Sequence, residues 1–205
     1  MKRFLLLAVA ALLLSACATP TRLTNSWRDA TYAGTPFRHV LVLGFGADGA
    51  TRRVFEDEFA RSLQVAGVTA TPSYTLESGV SESDVEKVRD LVKRSGADGV
   101  LTTRLIGLDK HTNVMPGQVM MVPTVVYRRG LYGYYGYYST PMLVQTPPST
   151  YQYEVLTLET NLWQFIGEHL VWSGTTETFA PENTRKTAQE LAQVVVKTLR
   201  AQGLW

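Results

Sequence analysis

The sequence predicts a single α/β domain built on a mixed sheet with three helices. Strand-like and helix-like segments alternate between residues 39 and 108 in the order β-α-β-α-β, which favours parallel strands packed against helices. Two long strand-like runs joined by three residues predict a β-hairpin, and an amphipathic segment ends the chain. Between the third strand and the hairpin lies an irregular insert of about residues 109–150, which has no helical period.

Residues 39–74 predict a strand, a helix and a second strand. His39–Gly44 is an apolar run that ends in glycine, which is typical of a buried strand. Thr51–Ala66 has its large apolar residues on one helical stripe, and Gly67 stands where a left-handed residue often ends a helix. Val68–Tyr74 is rich in residues that favour strands and predicts the second strand.

The next segment predicts a second helix and a third strand. Ser81–Asp84 resembles a capping box at the start of a helix, and Gly96 is expected to end that helix. Gly99–Leu108 predicts the third strand. The apolar face of the helix consists of Val85, Val88, Leu91 and Val92.

Beyond the insert, the sequence predicts the hairpin and the last helix. Tyr151–Phe165 and His169–Phe179 are expected to form its two strands. An amphipathic helix follows over about Asn183–Ala201, and Gly203 is expected to end it.

The N-terminus predicts a lipoprotein signal peptide over residues 1–16. Lys2 and Arg3 precede an uncharged apolar run, Phe4–Leu14, which is shorter than the roughly 20 residues that a spanning helix needs. Leu14–Cys17 resembles the bacterial lipobox, in which the cysteine is acylated and becomes the mature N-terminus. We therefore expect Cys17 to carry the lipid, residues 17–36 to form a polar tether, and residues 37–205 to form the domain.

The predicted anchor also implies a location. Ala18 follows the cysteine, where an Asp signals inner-membrane retention in enteric-type lipoproteins, so the expected location is the outer membrane with the domain facing the periplasm. Cys17 is the only cysteine of the chain, so no internal disulfide can form.

The charge balance gives no reason to expect a nucleic-acid partner. The formal charge of +2 includes Lys2 and Arg3, and without them 18 Lys and Arg face 18 Asp and Glu. A basic footprint for nucleic acid is therefore absent from the predicted mature chain.

Gly44–Gly49 matches the pattern G-x-G-x-x-G between a predicted strand and helix, which is the context of a dinucleotide-binding turn. No acidic residue stands about 20 positions further on to hold a ribose, and only one more strand-helix-strand unit follows. We interpret the pattern as a tight turn. A small-ligand or nucleotide-binding enzyme is the alternative, and Arg52 and Arg53 are candidate anion contacts at the start of the helix.

Other catalytic patterns are missing from the sequence. None of His39, His111 and His169 stands at metal-ligand spacing with another potential ligand, and no serine lies in a G-x-S-x-G motif. We therefore expect no metal, no cofactor and no enzymatic activity.

A tyrosine-glycine segment inside the insert is the candidate partner contact. Tyrosine provides contact area at a low entropic cost, and glycine lets a loop bend onto a partner. A disordered loop or one folded over the sheet is the alternative. The candidate contact residues are Tyr132, Tyr134, Tyr135, Tyr137 and Tyr138.

Short motifs spread over most of the mature chain resemble a family of small bacterial lipoproteins of unknown function. They are Ser26–Asp29, Arg53 with Glu56–Asp57, Gly96–Asp98, Leu158–Leu162 and Val171–Gly174. That family is similar in element order to the periplasmic domain of the curli-export lipoprotein and to the N-terminal domain of the Tol-system propeller protein. The resemblance implies an envelope role and supplies no catalytic residues.

These observations favour a lipid-anchored periplasmic binding or scaffold domain that acts in envelope assembly or maintenance. Its expected partners are the membrane, through the lipid, and an envelope protein, and a homo-oligomer is compatible with the sequence. The alternative is a subunit of an oligomeric outer-membrane secretion pore, with residues 115–145 as a membrane hairpin. Pro116, Pro123 and Pro141 count against that hairpin, because proline interrupts strand ladders.

Overall fold

A computed structural model describes residues 21–129 and 135–205, with side chains described outside residues 123–141. The described residues form two compact units: Lys110–Tyr153 is one, and the rest of the described chain is the other. The elements in chain order are β1 (Thr21–Arg28), β2 (His39–Phe45), α1 (Gly49–Val65), β3 (Thr69–Pro72), α2 (Val85–Ser95), β4 (Gly99–Met115), β5 (Val119–Arg129), β6 (Tyr135–Gln145), β7 (Ser149–Gln164), β8 (His169–Phe179) and α3 (Thr184–Ala201).

The predicted fold class is confirmed: a mixed six-stranded sheet carries the α/β unit. The strand order is β1-β8-β7-β4-β2-β3, and β2 runs parallel to both β3 and β4. The predicted hairpin is the antiparallel pair β7–β8, and β1 extends the sheet by pairing antiparallel to β8.

Both faces of this sheet are covered around β2, because alternate residues of β2 enter two different hydrophobic clusters. Val40 and Val42 belong to the larger cluster, which includes residues of α1 and α3 such as Phe59. Leu41 and Leu43 belong to the smaller cluster, which includes residues of α2 such as Leu91. The alternation has the period of two that strands impose, so α1 and α3 lie on one face and α2 on the other.

The helix ends follow the expected chemistry with one correction. Gly67 and Gly96 have positive φ angles of 90° and 70° at the ends of α1 and α2, as the sequence predicts. The cap of α2 is Asp84, whose carboxylate accepts from the Lys87 amide at 3.3 Å, and Ser81 does not cap the helix. Asp84 stands directly before Val85 and reaches the amide three residues on, so it acts as the cap.

The structure corrects the expected tether over residues 21–28. These residues form β1, which aligns Arg22 with Glu177 and Trp27 with Ser173 of β8. Their polar composition suits an edge strand whose side chains are mostly exposed, which is why the segment lacks the pattern of a buried strand.

The insert also contains regular structure. Strands β5 and β6 form a two-stranded antiparallel sheet, here called the β5–β6 ribbon, with an unbroken register from Val119↔Gln145 to Arg129↔Tyr135. The ribbon therefore replaces the expected irregular segment over most of residues 119–145.

The two prolines of the ribbon do not interrupt its ladder. The Thr146 amide donates to the Gln118 carbonyl at 2.9 Å, so the backbone groups of this pair point inward. Inward and outward pairs alternate along antiparallel strands, and the pair Pro123↔Pro141 is five positions further on. The proline nitrogens therefore point outward, where a missing N–H costs no ladder hydrogen bond.

Candidate functional site

The glycine turn between β2 and α1 is built as a helix start. Gly46 has a positive φ of 75°, which a residue without a Cβ adopts at little cost. The Asp48 carboxylate accepts from the amides of Ala50 and Thr51, each at 2.9 Å, and so occupies free N–H groups of α1. These bonds hold the Asp48 pKa below its ordinary value. A phosphate at this end of α1 would meet a carboxylate, so the geometry favours the tight-turn interpretation.

Arg52, one of the two candidate anion contacts, is buried in the domain and hydrogen-bonded there. Only 6% of the residue is exposed. Its Nε donates to Glu56 at 2.8 Å and its Nη2 to the Ser73 hydroxyl at 2.7 Å. The guanidinium also donates to the carbonyls of Glu77 and Ser78, each at 3.3 Å. It therefore fixes the segment after β3 to α1.

Glu56 is the fully buried partner of Arg52 and is held from several directions. Its carboxylate accepts from the Gly44 amide at 3.1 Å, the Ser73 hydroxyl at 2.8 Å and the Tyr74 amide at 2.9 Å. A buried charge is tolerated when it is paired and hydrogen-bonded in this way. The network joins the end of β2, α1 and the residues after β3, so its role is structural.

Arg53, the other candidate anion contact, is exposed and lies beside Tyr74, its guanidinium carbon 5.7 Å from the ring centre. The Tyr74 hydroxyl donates to Asp57 at 2.7 Å, which raises the pKa of Tyr74. The structure thus separates the two arginines into a buried and an exposed environment. Anion binding by Arg53 stays a prediction.

A largely apolar cleft of about 450 Å³ opens at the carboxyl ends of the parallel strands β2 and β4. The first turns of α1 and α3 border it, and both are capped, by Asp48 and by Asn183, whose side chain accepts from Lys186 at 2.9 Å. The apolar lining consists of Phe45, Ala47, Phe55, Leu105, Leu156, Leu158 and Pro181. Such a lining suits an uncharged, apolar group better than a phosphate.

A second groove of about 300 Å³ lies on the α2 side of the sheet. Its apolar wall includes Val88 of α2 with Trp163 and Phe165. Its rim carries the ion pair of Arg104 with Glu82 at 3.2 Å. The buried Oδ1 of Asn161, which lines this groove, has no hydrogen-bond partner within the described chain.

The β5–β6 ribbon exposes apolar side chains on both of its faces. Met120 lies opposite Val144 on one face, and Met121 lies opposite Leu143 on the other. The exposed fractions are 55% for Met120, 39% for Val144, 71% for Met121 and 63% for Leu143. A strand that covers a core commonly has one polar face, so an apolar ribbon of this kind indicates a contact surface.

The other sequence-predicted site residues fall partly outside the described chain. Cys17, Tyr132 and Tyr134 lie outside the described residues, so lipidation and contact by those tyrosines stay predictions. Tyr135, Tyr137 and Tyr138 belong to β6, where Tyr137 aligns with Tyr127 and Tyr138 with Val126 through their backbones. The structure describes no side chains over residues 123–141, so contact by these three tyrosines also stays a prediction.

Within residues 21–129 and 135–205, no group of three or more His, Cys, Asp or Glu residues could hold a metal ion. No helix in that part of the chain is both long and apolar enough to cross a membrane.

Sequence reasoning considered residues 115–145 only as the membrane hairpin of the alternative and counted the prolines against it, although a further signal was present. Val119–Val122 and Met142–Val144 are uncharged apolar runs, each followed or preceded by a proline. A proline taken alone indicates a break in a strand, and only the alignment of Pro123 with Pro141 shows that both can lie within a ladder.

The sequence matches no protein-family model and no curated protein. Among solved structures, a single-substitution variant of the PelC dodecamer from Paraburkholderia phytofirmans is similar at 14% identity and a TM-score of 0.45, covering 86% of this chain and 94% of that one. The lipoprotein GNA1162 from Neisseria meningitidis is similar at 14% identity and a TM-score of 0.41, covering 80% of this chain and 99% of that one. Similarities at this level assign no function, and membership of the lipoprotein family stays a prediction.

The motifs that carry the family resemblance are mainly structural in this fold. Trp172 is fully buried, and a Cβ added to Gly174 would lie 2.2 Å from its ring. Asp98 accepts from the amides of Arg38 and His39, at 3.0 and 3.1 Å, and so holds the start of β2. These residues stabilise the packing and the start of β2, and they give no information about a substrate.

Proposed function

We propose that this chain is a lipid-anchored protein of the bacterial envelope whose periplasmic part binds or scaffolds another envelope component without catalysis. The observation that carries the proposal is the β5–β6 ribbon, which exposes apolar side chains on both faces. Large exposed apolar surfaces on folded proteins mark interaction sites. The lipobox at Leu14–Cys17 and the tyrosine-glycine segment next to the ribbon in sequence support it.

The anchor assigns the location in this proposal. Acylation of Cys17 would hold the chain at the membrane, and Ala18 favours the outer membrane over retention at the inner one. A single acyl chain holds weakly and two or more hold firmly, so the proposal requires a multiply acylated cysteine. The domain would then face the periplasm.

The use of buried acidic groups supports a non-catalytic role. Glu56 is bound by Arg52, and Glu58 is bound by Arg61 and by Arg185, the latter at 3.2 Å. These carboxylates join elements to one another, whereas a general acid or base needs access to a substrate.

The tyrosine-glycine segment provides the test of partner binding. We expect replacement of all five tyrosines, Tyr132, Tyr134, Tyr135, Tyr137 and Tyr138, by serine to leave the melting temperature of the full chain nearly unchanged. Crosslinking to other envelope proteins in intact cells should fall strongly.

The matched control replaces Tyr151 and Tyr153, which stack on each other with ring centres 5.8 Å apart, by serine. That control should keep the wild-type crosslinks. A large fall in melting temperature for the five-serine variant would show that those tyrosines pack into the protein, and unchanged crosslinks would contradict the binding role.

The ribbon also favours a second candidate, a subunit of an oligomeric secretion pore. Residues 115–145 contain the antiparallel hairpin that this alternative requires, and its prolines leave the ladder intact. The purified chain should then produce stepwise conductance in planar lipid bilayers. A chain that crosslinks to partners and conducts no ions would leave the scaffold as the function.

A further inference from the structure

We propose that the cleft at the carboxyl ends of β2 and β4 takes up one acyl chain of the lipid on Cys17 of the same molecule. This inference rests on the proposed function, which supplies the acylated cysteine. Two features of the α/β unit point to this occupant: the lining of the cleft, and the place where the segment that follows Cys17 joins the sheet.

The lining of the cleft suits a hydrocarbon chain. Phe45, Phe55, Leu105 and Leu156 are among the apolar side chains that surround it. Its volume of about 450 Å³ lies in the range of roughly 300–1,000 Å³ that is usual for sites of small organic molecules. A hydrocarbon chain needs no hydrogen bonds, so a cleft with few free polar groups can hold it.

The charged side chains along the cleft are already bound by groups of the protein. The Asp48 carboxylate accepts from amides of its own helix. Arg52 pairs with Glu56 at 2.8 Å, and Arg104 pairs with Glu159 at 2.7 Å. An uncharged occupant leaves these contacts intact, whereas a charged one would compete with them.

The first residue of β1 lies at the same edge of the sheet as the cleft. Thr21 pairs with Thr178 of β8, and Thr178 pairs with Leu156 of β7, so the three residues form one row across the sheet. Leu156 lines the cleft. Neighbouring strands are about 4.8 Å apart, so Thr21 lies about 10 Å from Leu156.

Thr21 also lies on the same face of the sheet as the cleft. Its hydroxyl donates to Glu190 of α3 at 3.0 Å, and α3 borders the cleft through Thr184 and Thr187. Residues directly opposite each other on neighbouring strands share a face, so Thr21 and Leu156 both lie on the α3 side. The chain therefore enters the sheet beside the mouth of the cleft.

The segment between Cys17 and Thr21 is long enough to bring the lipid to this mouth. Residues 17–20 lie outside the described residues, but their number limits their reach. Four residues span at most about 14 Å, which exceeds the roughly 10 Å between Thr21 and Leu156. Covalent attachment raises the effective concentration of the acyl chain at the cleft, an advantage that a free fatty acid lacks.

Uptake of one acyl chain has a consequence for orientation. Each methylene group that enters the cleft is removed from water, which favours uptake wherever the chain is outside the bilayer. The proposed function requires a multiply acylated cysteine, so the other chains can remain in the membrane. The edge of the sheet that carries the cleft would then face the bilayer.

The test is photocrosslinking of the full-length chain in intact cells. The cells are fed a palmitic acid analogue that carries a diazirine near the end of its hydrocarbon chain, and they are then irradiated. Mass spectrometry of the digested protein identifies what the lipid has contacted. We expect the peptide that contains Cys17 to be joined, through the lipid, to peptides that contain Phe55, Leu105 or Leu156.

Two pairs of variants locate the contact. Ala47→Trp adds a large side chain at an exposed residue of the cleft lining, and Ala50→Trp is the control at an exposed residue of α1 outside that lining. Leu105→Glu places a carboxylate in the cleft, and Val65→Glu is the control at an apolar residue of α1 that is 84% exposed. The crosslink should be lost in both cleft variants and kept in both controls.

Other occupants of the cleft give different products. A cleft peptide that carries the label but is not joined to the Cys17 peptide would show a free fatty acid or a membrane lipid in the cleft. A lipid joined to the cleft of a co-expressed, tagged Cys17→Ser copy would show uptake between molecules. Either product in place of the expected one would overturn the proposal, and so would a crosslink that survives in both cleft variants.

The same experiment separates this proposal from the proposed function. Label on Cys17 with no crosslink to the cleft, and with crosslinks from the tyrosine segment to other envelope proteins intact, would overturn uptake alone. Loss of the crosslinks to other proteins, with the lipid still joined to the cleft, would overturn partner binding alone. A chain that takes up no label at Cys17 would overturn both the lipid anchor and the uptake.

Discussion

At the scale of single residues, the buried polar groups decide how the helices are attached to the sheet. Glu56 and Arg52 fix α1 to β2 and to the residues after β3, and Asp29 fixes the end of β1 through His169. Several of these contacts join residues that lie far apart in sequence. The burial of Glu56 sets the direction of the first prediction below, and the lowered pKa of Asp29 sets the direction of the second.

We predict that Arg52→Met lowers the free energy of unfolding by about 3 kcal/mol, because it leaves the buried Glu56 carboxylate without its cation. The matched control is Arg53→Met, the same substitution at the exposed neighbouring residue of the same helix. Its cost should stay below about 1 kcal/mol, as for most surface substitutions. Urea unfolding of both variants measures the difference, and equal costs would contradict the structural role of Arg52.

We predict that Asp29 contributes to acid sensitivity. The hydrogen bond from His169, with those from the Thr31 amide and hydroxyl at 2.8 Å, lowers the pKa of Asp29 from 3.8 to about 2. Because the folded pKa is the lower one, this stability is fully present above about pH 4 and is lost as the pH falls toward 2.

Asp29→Asn removes that titration. Its free energy of unfolding should lie furthest below the wild-type value near neutral pH, and the two values should converge as the pH falls from about 4 to about 2. The free energy of unfolding of both proteins is measured over this pH range. If the two curves of free energy against pH run parallel, protonation of Asp29 is not coupled to folding.

At the scale of elements, local signals fix the helices, and long-range pairing fixes the strands. The apolar stripe of α1, its Asp48 cap and the glycine after it all follow from adjacent residues. In contrast, β1 becomes a strand only by pairing with β8, which lies near the other end of the chain. The turn that joins β2 to α1 offers a matched test of backbone strain.

We predict that Gly46→Ala destabilises the domain by about 1–2 kcal/mol, because a residue with a Cβ is strained at a φ of 75°. Gly49→Ala is the control. An added Cβ meets no atom within 4 Å at either position, but Gly49 has no positive φ and begins a helix, where alanine is favoured. The control should be neutral or stabilising in thermal unfolding.

A nucleotide-binding turn would give a different outcome. Calorimetric titration with a nicotinamide or flavin cofactor should show no binding to the wild type or to either variant. Saturable binding that Gly46→Ala abolishes would contradict the structural interpretation of Gly44–Gly49 and would favour the ligand-binding alternative.

At the scale of the whole molecule, the chain combines a predicted membrane anchor, an α/β unit and a ribbon unit with an apolar surface. We predict that Cys17→Ser abolishes acylation and moves the protein out of the outer-membrane fraction, because the chain has no other thiol to carry the lipid. Metabolic labelling with palmitate and membrane fractionation measure both effects. Wild-type labelling and fractionation of the variant would contradict the lipoprotein interpretation.

The sequence by itself determined the fold class, the order of the central elements and most of their boundaries. This was possible because helix periodicity, strand alternation and helix-ending glycines act between neighbours, as at Gly67 and Gly96. The absence of a recognisable catalytic pattern was equally a property of the sequence.

Only the tertiary structure determined which residues far apart in sequence lie close together in the fold. It placed Arg52 in the interior, joined β1 to the edge of the sheet and aligned Pro123 with Pro141 in the ribbon. The physical reason is that burial and strand register depend on partners that are remote in sequence, which a local pattern does not specify. For the same reason the apolar ribbon emerged as a surface only after its two strands were paired.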